Sequence, residues 1–226
     1  MEKRAVVILS GGLDSTTCMA IALAAGYRVW ALTFDYGQRH RVEIEAARRV
    51  AQHYHAAEHR IVELPFMRTI GGSALTDDAL DVPMTGVVEN LIPVTYVPAR
   101  NLIFLSVAAA FAETVGAFAV YLGVNALDYS GYPDCRPEFI EAFTKTARLG
   151  TKAGVNGLPI SVETPLLSMS KADIIRLGTT LQVPYELTSS CYLGGDIACG
   201  VCDSCRLRLK GFAEAGQSDP LQYASV

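Results

Sequence analysis

A glycine-rich turn near the N-terminus carries the first residues that could do chemistry. Residues 10–15, Ser-Gly-Gly-Leu-Asp-Ser, follow the apolar run 5–9 and precede a helical pattern that runs to about Ala25. The glycines let successive N–H groups point into one concavity, and such a concavity at a helix N-terminus binds phosphate. Ser10, Ser15 and Thr16 can add hydroxyl donors. The pattern predicts a phosphate-binding turn between a buried strand and a helix.

Asp14 lies inside this turn, where its carboxylate would repel a bound polyphosphate. A divalent cation between the two groups would remove the repulsion, so Asp14 predicts Mg²⁺ bridging to pyrophosphate. The alternative is that Asp14 or Ser15 caps the helix and that the glycines form a plain tight turn. The two roles are compatible.

Four cysteines near the C-terminus form the second group. Their spacing, Cys-x7-Cys-x2-Cys-x2-Cys, suits a closed tetrahedral zinc site, which would be structural because it has no open position for water. An iron–sulfur cluster is the main rival, and a redox pair within the Cys-x2-Cys part is another. The predicted ligands are Cys191, Cys199, Cys202 and Cys205. The basic residues that would offset the charge of a zinc tetrathiolate are Arg206, Arg208 and Lys210.

Two basic residues stand at predicted helix starts. Arg100 precedes the apolar run 102–112, and Lys171 follows Ser170, which predicts an N-cap with Asp173 three residues on. Cations are disfavoured at helix N-termini, so a bound phosphate would explain both positions. A surface arginine and a mobile surface lysine are the alternatives.

A polar, tyrosine-rich segment follows the predicted fourth strand. Tyrosine rings can stack on a planar ring, aspartates can accept hydrogen bonds from a purine-like edge, and an arginine can pair with a carboxylate. These features predict substrate contacts, with a plain surface loop as the alternative. The candidates are Asp128, Tyr132, Asp134 and Arg136.

Short apolar runs alternate with helical patterns along most of the chain. Such alternation predicts an α/β fold with an open, mostly parallel, doubly wound sheet, whose ligands gather at the carboxyl ends of the strands. The cysteine region adds a small zinc-binding appendage, so the predicted domains are 1–185 and 186–226. Predicted strands cover 5–9, 28–34, 59–64, 117–124 and 160–165, and predicted helices cover 14–25, 41–55, 97–116, 138–149 and a segment from Ser170.

Composition disfavours several classes of protein. The 226 residues carry a net charge of −4, whereas a protein held to nucleic acid mainly through phosphates is usually basic. The longest apolar run, 102–112, is too short to span a bilayer, and no signal-peptide pattern precedes the first strand. We therefore expect a cytoplasmic protein that binds small molecules, with no direct nucleic-acid or membrane partner and with cysteines that are reduced or metal-bound.

The glycine turn resembles the Ser-Gly-Gly-x-Asp-Ser signature of the PP-loop ATP pyrophosphatases, which split ATP between the α- and β-phosphates. The resemblance implies that the turn and the first helical turns cradle ATP, with Asp14 on Mg²⁺ and with Arg100 and Lys171 on the phosphates. The implied cradle consists of Leu9, Ser10, Gly11, Gly12, Leu13, Asp14, Ser15, Thr16, Thr17, Cys18 and Met19.

Further motifs extend the resemblance, over most of the chain, to the 7-cyano-7-deazaguanine synthase family. It implies an ATP-dependent ligase that converts 7-carboxy-7-deazaguanine and ammonia to the 7-cyano base in queuosine biosynthesis, by adenylation of the carboxylate and then of the amide. It also implies one zinc per chain and a homodimer. Ala99 departs from the family pattern, which has glycine there. The motifs are Phe-Asp-Tyr-Gly-Gln-Arg-His at 34–40, Arg-Asn at 100–101, Ser-Gly-Tyr-Pro-Asp-Cys-Arg at 130–136, Glu-Thr-Pro at 163–165 and the four cysteines.

Two other functions stay open on sequence alone. A PP-loop tRNA thiolase would need sulfur-carrying cysteines and a basic RNA surface, which the cysteine spacing and the acidic charge disfavour. A non-catalytic zinc-ribbon interaction protein would leave the glycine signature unused. The chain shows no glutaminase arrangement, because its four histidines all lie between positions 40 and 59, so ammonia would come free or from a partner.

Overall fold

Five parallel strands form one sheet in the order β3-β2-β1-β4-β5. The structure is a computed structural model that describes residues 2–84, 91–127 and 132–224. The pairing confirms the predicted α/β class, with every strand pair of this sheet parallel. The strands are β1 Arg4–Ile8, β2 Arg28–Asp35, β3 Glu58–Glu63, β4 Ala119–Tyr121 and β5 Ser161–Glu163.

Helices cover both faces of the sheet. One core contains residues of α1, α2, α7 and α8, and the other contains residues of α4 and α5. The helices are α1 Leu13–Ala24, α2 Val42–His53, α3 Phe66–Ile70, α4 Arg100–Val115, α5 Pro137–Gly150, α6 Lys152–Val155, α7 Lys171–Thr180 and α8 Asp203–Glu214, with short 3₁₀ turns at Pro133–Cys135 and Tyr185–Leu187.

Strand β1 lies at the centre and is buried on both faces. Val6 and Ile8 belong to the core on one side, whereas Ala5 and Val7 belong to the core on the other. A strand covered on both faces needs an unbroken apolar run instead of an alternating one, which is the pattern of 5–9. The order of strands reverses at β1, so a crevice opens between the carboxyl ends of β1 and β4.

Strand β4 is shorter than the predicted 117–124. Its ladder with β1 ends at Tyr121, because the chain then turns into the crevice. At Gly123 a Cβ would lie only 3.0 Å from Ser15 N, so the backbone passes close to the N-terminus of α1. The strand therefore ends where Gly123 packs closely against the turn at residues 10–15.

The predicted cap of α7 is confirmed. Ser170 Oγ accepts from Asp173 N at 3.1 Å and donates to the Asp173 carboxylate at 2.6 Å. Helix α8 had no counterpart among the predicted elements, and it packs against α7. The division of the chain into 1–185 and 186–226 stays a prediction.

One observation concerns the prediction that the chain has no membrane partner. Within the described ranges, no helix combines the length and the apolar character that a bilayer crossing requires.

Candidate active site

The glycine turn joins β1 to α1 at the crevice. Gly11 has φ +83°, and a Cβ there would lie 2.3 Å from Glu43 O and 2.4 Å from Ala47 N. Any side chain would therefore collide with the backbone of α2, which packs directly on the turn. Ser189 N donates to Gly11 O at 2.9 Å, so a segment of the C-terminal region also fixes the turn.

Hydroxyl groups organise the turn from inside. Ser10 Oγ lies 3.0 Å from Ser15 Oγ, and Gly12 N donates to Ser10 Oγ at 3.3 Å. Thr16 Oγ1 donates to Gly12 O at 2.8 Å. The hydroxyls of Ser10 and Ser15 thus lie at a helix N-terminus, where they can turn from each other toward an anion.

Lys171 and Asp14 face each other across the crevice. Lys171 Nζ donates to both oxygens of Asp14, at 2.7 and 2.8 Å. The lysine side chain is 9% exposed and the aspartate side chain 17%, so the pair is mostly buried. A cation at the start of α7 is thereby explained by a carboxylate on the first turn of α1.

These groups border a cavity of about 190 Å³. Several of the predicted site residues line this cavity, namely Leu9, Ser10, Gly12, Leu13, Asp14, Ser15, Arg100, Tyr132 and Lys171. Further lining residues that the sequence analysis did not assign to this cavity include Tyr36, His40, Glu43, Asn125, Ser204 and Arg208.

Part of the predicted nucleotide cradle lies behind the cavity wall. Thr16, Thr17, Cys18 and Met19 are fully buried, and Thr17 Oγ1 donates to Leu13 O at 2.9 Å. The two apolar side chains pack in the core beneath α1. These residues are covered by the rest of the fold and do not line the cavity, and their direct contact with a nucleotide stays a prediction.

Arg100 lines the cavity near the side chains of Tyr36 and Tyr132. Its Cζ lies 6.0 Å from the centroid of the Tyr132 ring. Burial raises the pKa of the Tyr36 phenol, and the Arg100 guanidinium beside it acts in the opposite direction. The arginine is thus oriented by rings and keeps its charge available to an anion.

The residues of the predicted substrate loop lie in different environments. Asp134 is buried and accepts from Asn101 N at 2.9 Å, so its carboxylate caps α4 and does not line the cavity. Arg136 is exposed and lies outside the cavity wall. Asp128 lies outside the described residues. Burial, followed by the charge of Asp134, raises the pKa of the Cys135 thiol to about 12, which leaves this lining residue protonated at neutral pH.

The four predicted metal ligands converge. Their sulfur atoms all lie within 4.8 Å of one another, and Cys199 Sγ lies 3.9 Å from Cys205 Sγ. Four sulfurs around zinc at about 2.3 Å would stand about 3.8 Å apart, so the donor set fits a tetrahedral ion. Val201 N and Cys202 N donate to Cys199 Sγ at 3.4 and 3.3 Å, as expected around a thiolate.

Helix α8 connects the cysteine cluster to the cavity. Cys202 and Cys205 lie at its N-terminal end, and Arg208, one turn further, lines the cavity. Arg208 does not offset zinc charge as predicted, because its guanidinium bonds Asp219 at 2.7 and 2.9 Å and is 2% exposed. Tyr223 donates to the same Asp219 carboxylate at 2.6 Å. A metal at the cysteines would therefore hold one wall of the cavity in place.

The glycine turn at the switch point of a parallel sheet, with a mostly buried lysine–aspartate pair beside it, gives the chain an α/β fold of the PP-loop class. Solved structures share its fold. One is described as NMN synthetase from Francisella tularensis, with a TM-score of 0.51 and 16% identity over 96% of this chain and 78% of that one. Another is a 4-thiouridine synthetase–RNA complex with bound ATP, with a TM-score of 0.56 and 18% identity over 95% of this chain and 50% of that one.

Sequence similarity narrows the class to one family. Residues 4–216 match the family described as queuosine biosynthesis protein QueC, and the chain belongs to that family. Relatives named 7-cyano-7-deazaguanine synthase include those of Acetivibrio thermocellus, 59% identical over 98% of both chains, and Oceanobacillus iheyensis, 57% identical over 98% of both chains. A third, from Geotalea uraniireducens, is 59% identical over 99% of this chain and 98% of the relative. The predicted resemblance is confirmed.

Proposed function

We propose that the protein is a 7-cyano-7-deazaguanine synthase that uses ATP and ammonia to convert 7-carboxy-7-deazaguanine to the nitrile. Family membership over nearly the whole chain supports the activity. The observation that carries the mechanism is the Asp14–Lys171 pair beside the glycine turn, within one cavity. In this proposal, the Lys171 ammonium group and the N–H groups of the turn face the pyrophosphate as it leaves.

The chemistry must overcome a poor electrophile, since a carboxylate is anionic and stabilised by resonance. A carboxylate oxygen attacks the α-phosphorus of ATP and pyrophosphate leaves, which gives a mixed anhydride. Ammonia then displaces AMP to form an amide. A second ATP adenylates the amide oxygen, and loss of AMP and of two protons from nitrogen yields the nitrile.

The chain contributes position and charge. The turn N–H groups, with the hydroxyls of Ser10 and Ser15, bind the departing pyrophosphate, and Lys171 neutralises the negative charge that develops on it. Arg100 binds an anionic group on the opposite side of the cavity. Tyr132 packs against the planar base, because its ring lines the wall beside Arg100.

Two metals fit residues that the structure describes. Asp14 offers about four lone-pair positions and Lys171 uses two, so Asp14 has room to hold Mg²⁺ that accompanies ATP. Such an ion neutralises phosphate charge. The four cysteines would hold one structural Zn²⁺ per chain, which ties α8 to the cavity.

Other parts of the assignment rest on the family. We propose a homodimer in the cytoplasm, with free or partner-supplied ammonia and with no nucleic acid bound directly.

The thiolase alternative is disfavoured by the cysteines, since four converge on one centre and the other two, Cys18 and Cys135, are buried thiols with raised pKa values.

The test is a reconstitution with ATP, Mg²⁺, ammonium and the carboxylate base. We expect two AMP and two pyrophosphate per nitrile, with the product identified by mass. Release of ADP and phosphate, or thiolation of tRNA when a sulfur donor replaces ammonium, would overturn the proposal.

A further inference from the structure

One carboxylate in the cavity lacks the usual counter-charge. Asp14 and Glu43 are the two carboxylate residues that line the cavity within the described ranges. Asp14 pairs with Lys171, whereas Glu43 forms no ion pair with a lysine or arginine among the described residues. Its ionisable neighbour is His40, whose Nε2 lies 3.4 Å from Glu43 Oε2 and which carries a charge only when protonated.

Glu43 is held firmly in spite of this. Gln38 Nε2 donates to Glu43 Oε1 at 2.9 Å, and His40 Nε2 lies 3.4 Å from Glu43 Oε2. Gln38 is itself 1% exposed and fixed by Tyr36 N and Phe34 O. The carboxylate is 15% exposed and uses two of about four acceptor positions, so it can accept a further donor from the cavity.

Its place in the fold brings it to the reacting centre. Glu43 lies on the first turn of α2, whose backbone packs against Gly11 of the phosphate turn. The cavity serves two anionic substrates, ATP and a carboxylate, and a partly buried carboxylate in such a space is costly unless a cation joins it.

We propose that Glu43 binds ammonium, the nitrogen substrate, with Gln38 and His40 as positioning residues. The inference rests on the proposed function. Ammonium is a small cation with four N–H donors, which suits a fixed carboxylate with free acceptor positions. Its capture at Glu43 places nitrogen beside the turn where the acyl-adenylate forms.

The step balances without an additional reactant. Glu43 takes one proton from ammonium, which frees the nitrogen lone pair to attack the carbonyl carbon of the acyl-adenylate. The C–N bond forms, and the C–O bond to AMP breaks with its electron pair leaving on AMP. The nitrogen passes its second proton to solvent water, so the step yields the amide, AMP and two protons.

The test compares Glu43→Gln with Glu45→Gln, which changes an exposed carboxylate on the same helix that pairs with Arg48. We expect Glu43→Gln to raise the KM for ammonium at least 30-fold and to change carboxylate-dependent ATP–pyrophosphate exchange less than threefold. Glu45→Gln should match the wild type in both assays. Glu43→Asp, which keeps the charge, should recover part of the ammonium affinity.

A second nucleophile makes the test specific. Hydroxylamine is neutral near pH 7 and needs no cation site, so hydroxamate formation by Glu43→Gln should fall much less than amide formation. Equal loss with both nucleophiles, or an increased requirement for Mg²⁺ with an unchanged ammonium KM, would overturn the inference. Absence of exchange in the wild type would instead overturn the proposed function. If Glu43→Gln fails to fold, Glu43→Ala replaces it, and an ammonium KM for Glu43→Ala equal to that of the wild type overturns the inference alone.

Discussion

Lys171 Nζ lies 2.7 Å from Asp14 Oδ1 and 2.8 Å from Asp14 Oδ2, although 157 positions separate the residues in sequence. The pair joins the first turn of α7 to the first turn of α1 across the mouth of the cavity. Because the pair is mostly buried, removal of either charge would leave the other one uncompensated beside the proposed nucleotide site.

Removing the lysine charge should abolish most adenylation. We expect Lys171→Met to lower ATP–pyrophosphate exchange about 10²–10³-fold, because it removes charge stabilisation of the leaving group and leaves Asp14 unpaired. Lys210→Met is the matched control, since Lys210 is 70% exposed and pairs weakly with Glu214 at 3.8 Å. The double variant with Asp14→Asn should be less impaired in stability than the sum of the two single variants. Additive losses would contradict direct pairing.

Gly211 on α8 leaves room for the lysine stem. A Cβ at Gly211 would lie 2.3 Å from Lys171 Cγ, so Gly211→Ala should displace the side-chain ammonium group of Lys171 from Asp14. We expect kcat to fall at least tenfold and the melting temperature to fall as well, because the added Cβ also meets Lys171 Cβ at 2.9 Å and Ile175 Cδ1 at 3.0 Å. This overlap outweighs the gain of about 1 kcal/mol that alanine brings to a helix. Gly150→Ala, where a Cβ meets no atom within 4 Å, serves as the control. Full activity of Gly211→Ala would show that Lys171 tolerates displacement.

Removal of the metal should weaken ATP binding, although the four cysteines do not line the cavity. We expect one zinc per chain by elemental analysis, and we expect chelation or Cys199→Ser to weaken ATP binding at least tenfold, because α8 carries Arg208 into the cavity wall. Cys18→Ala, which changes a buried thiol outside the cluster, should retain the metal. Iron with visible absorbance would point to a cluster, and unchanged ATP binding in the metal-free protein would contradict the coupling.

Alkaline pH should destabilise the fold through Cys135. Its folded pKa of about 12 exceeds the value near 8.5 of an unfolded thiol, so the native state binds more protons above that lower value. The stabilisation is fully present below about pH 8.5 and is lost as pH rises toward 12. Between pH 8 and 10 this group should reduce the free energy of unfolding by about 2 kcal/mol. Over the same pH range, the free energy of unfolding of Cys135→Ala, measured in urea, should fall by about 2 kcal/mol less than that of the wild type. Equal decreases in the two proteins would contradict the shift.

Local patterns predicted the parts of the site that lie close together in sequence. Residues 10–15 carry the strand end, the turn and the helix start within one short stretch, and the cysteine spacing brings four sulfurs together with little dependence on the rest of the fold. Ala99 shows the reverse case. Its φ of +56° lies in the left-handed region, which costs alanine about 1 kcal/mol, and the local sequence pattern does not predict this conformation.

Long-range partners could not be read from local patterns. Arg208 looked like a counter-charge for zinc, but its partner Asp219 reaches it only after α8 ends and the chain returns. Asp134 was predicted as a substrate contact from local sequence, and its cap on α4 became visible only in the fold, while the substrate contact stays a prediction. Glu43 lies on an ordinary amphipathic helix, and only the packing of α2 on Gly11 brings it to the cavity. Tertiary contacts decided each of these roles.

The most direct measurement of the central claim follows oxygen from the substrate. The carboxylate of 7-carboxy-7-deazaguanine is labelled with ¹⁸O, and AMP and pyrophosphate are analysed by mass after complete turnover. Adenylation of the acid and then of the amide predicts one labelled oxygen in each of two AMP molecules per nitrile and none in pyrophosphate. Unlabelled AMP, or label in pyrophosphate or free phosphate, would contradict the account.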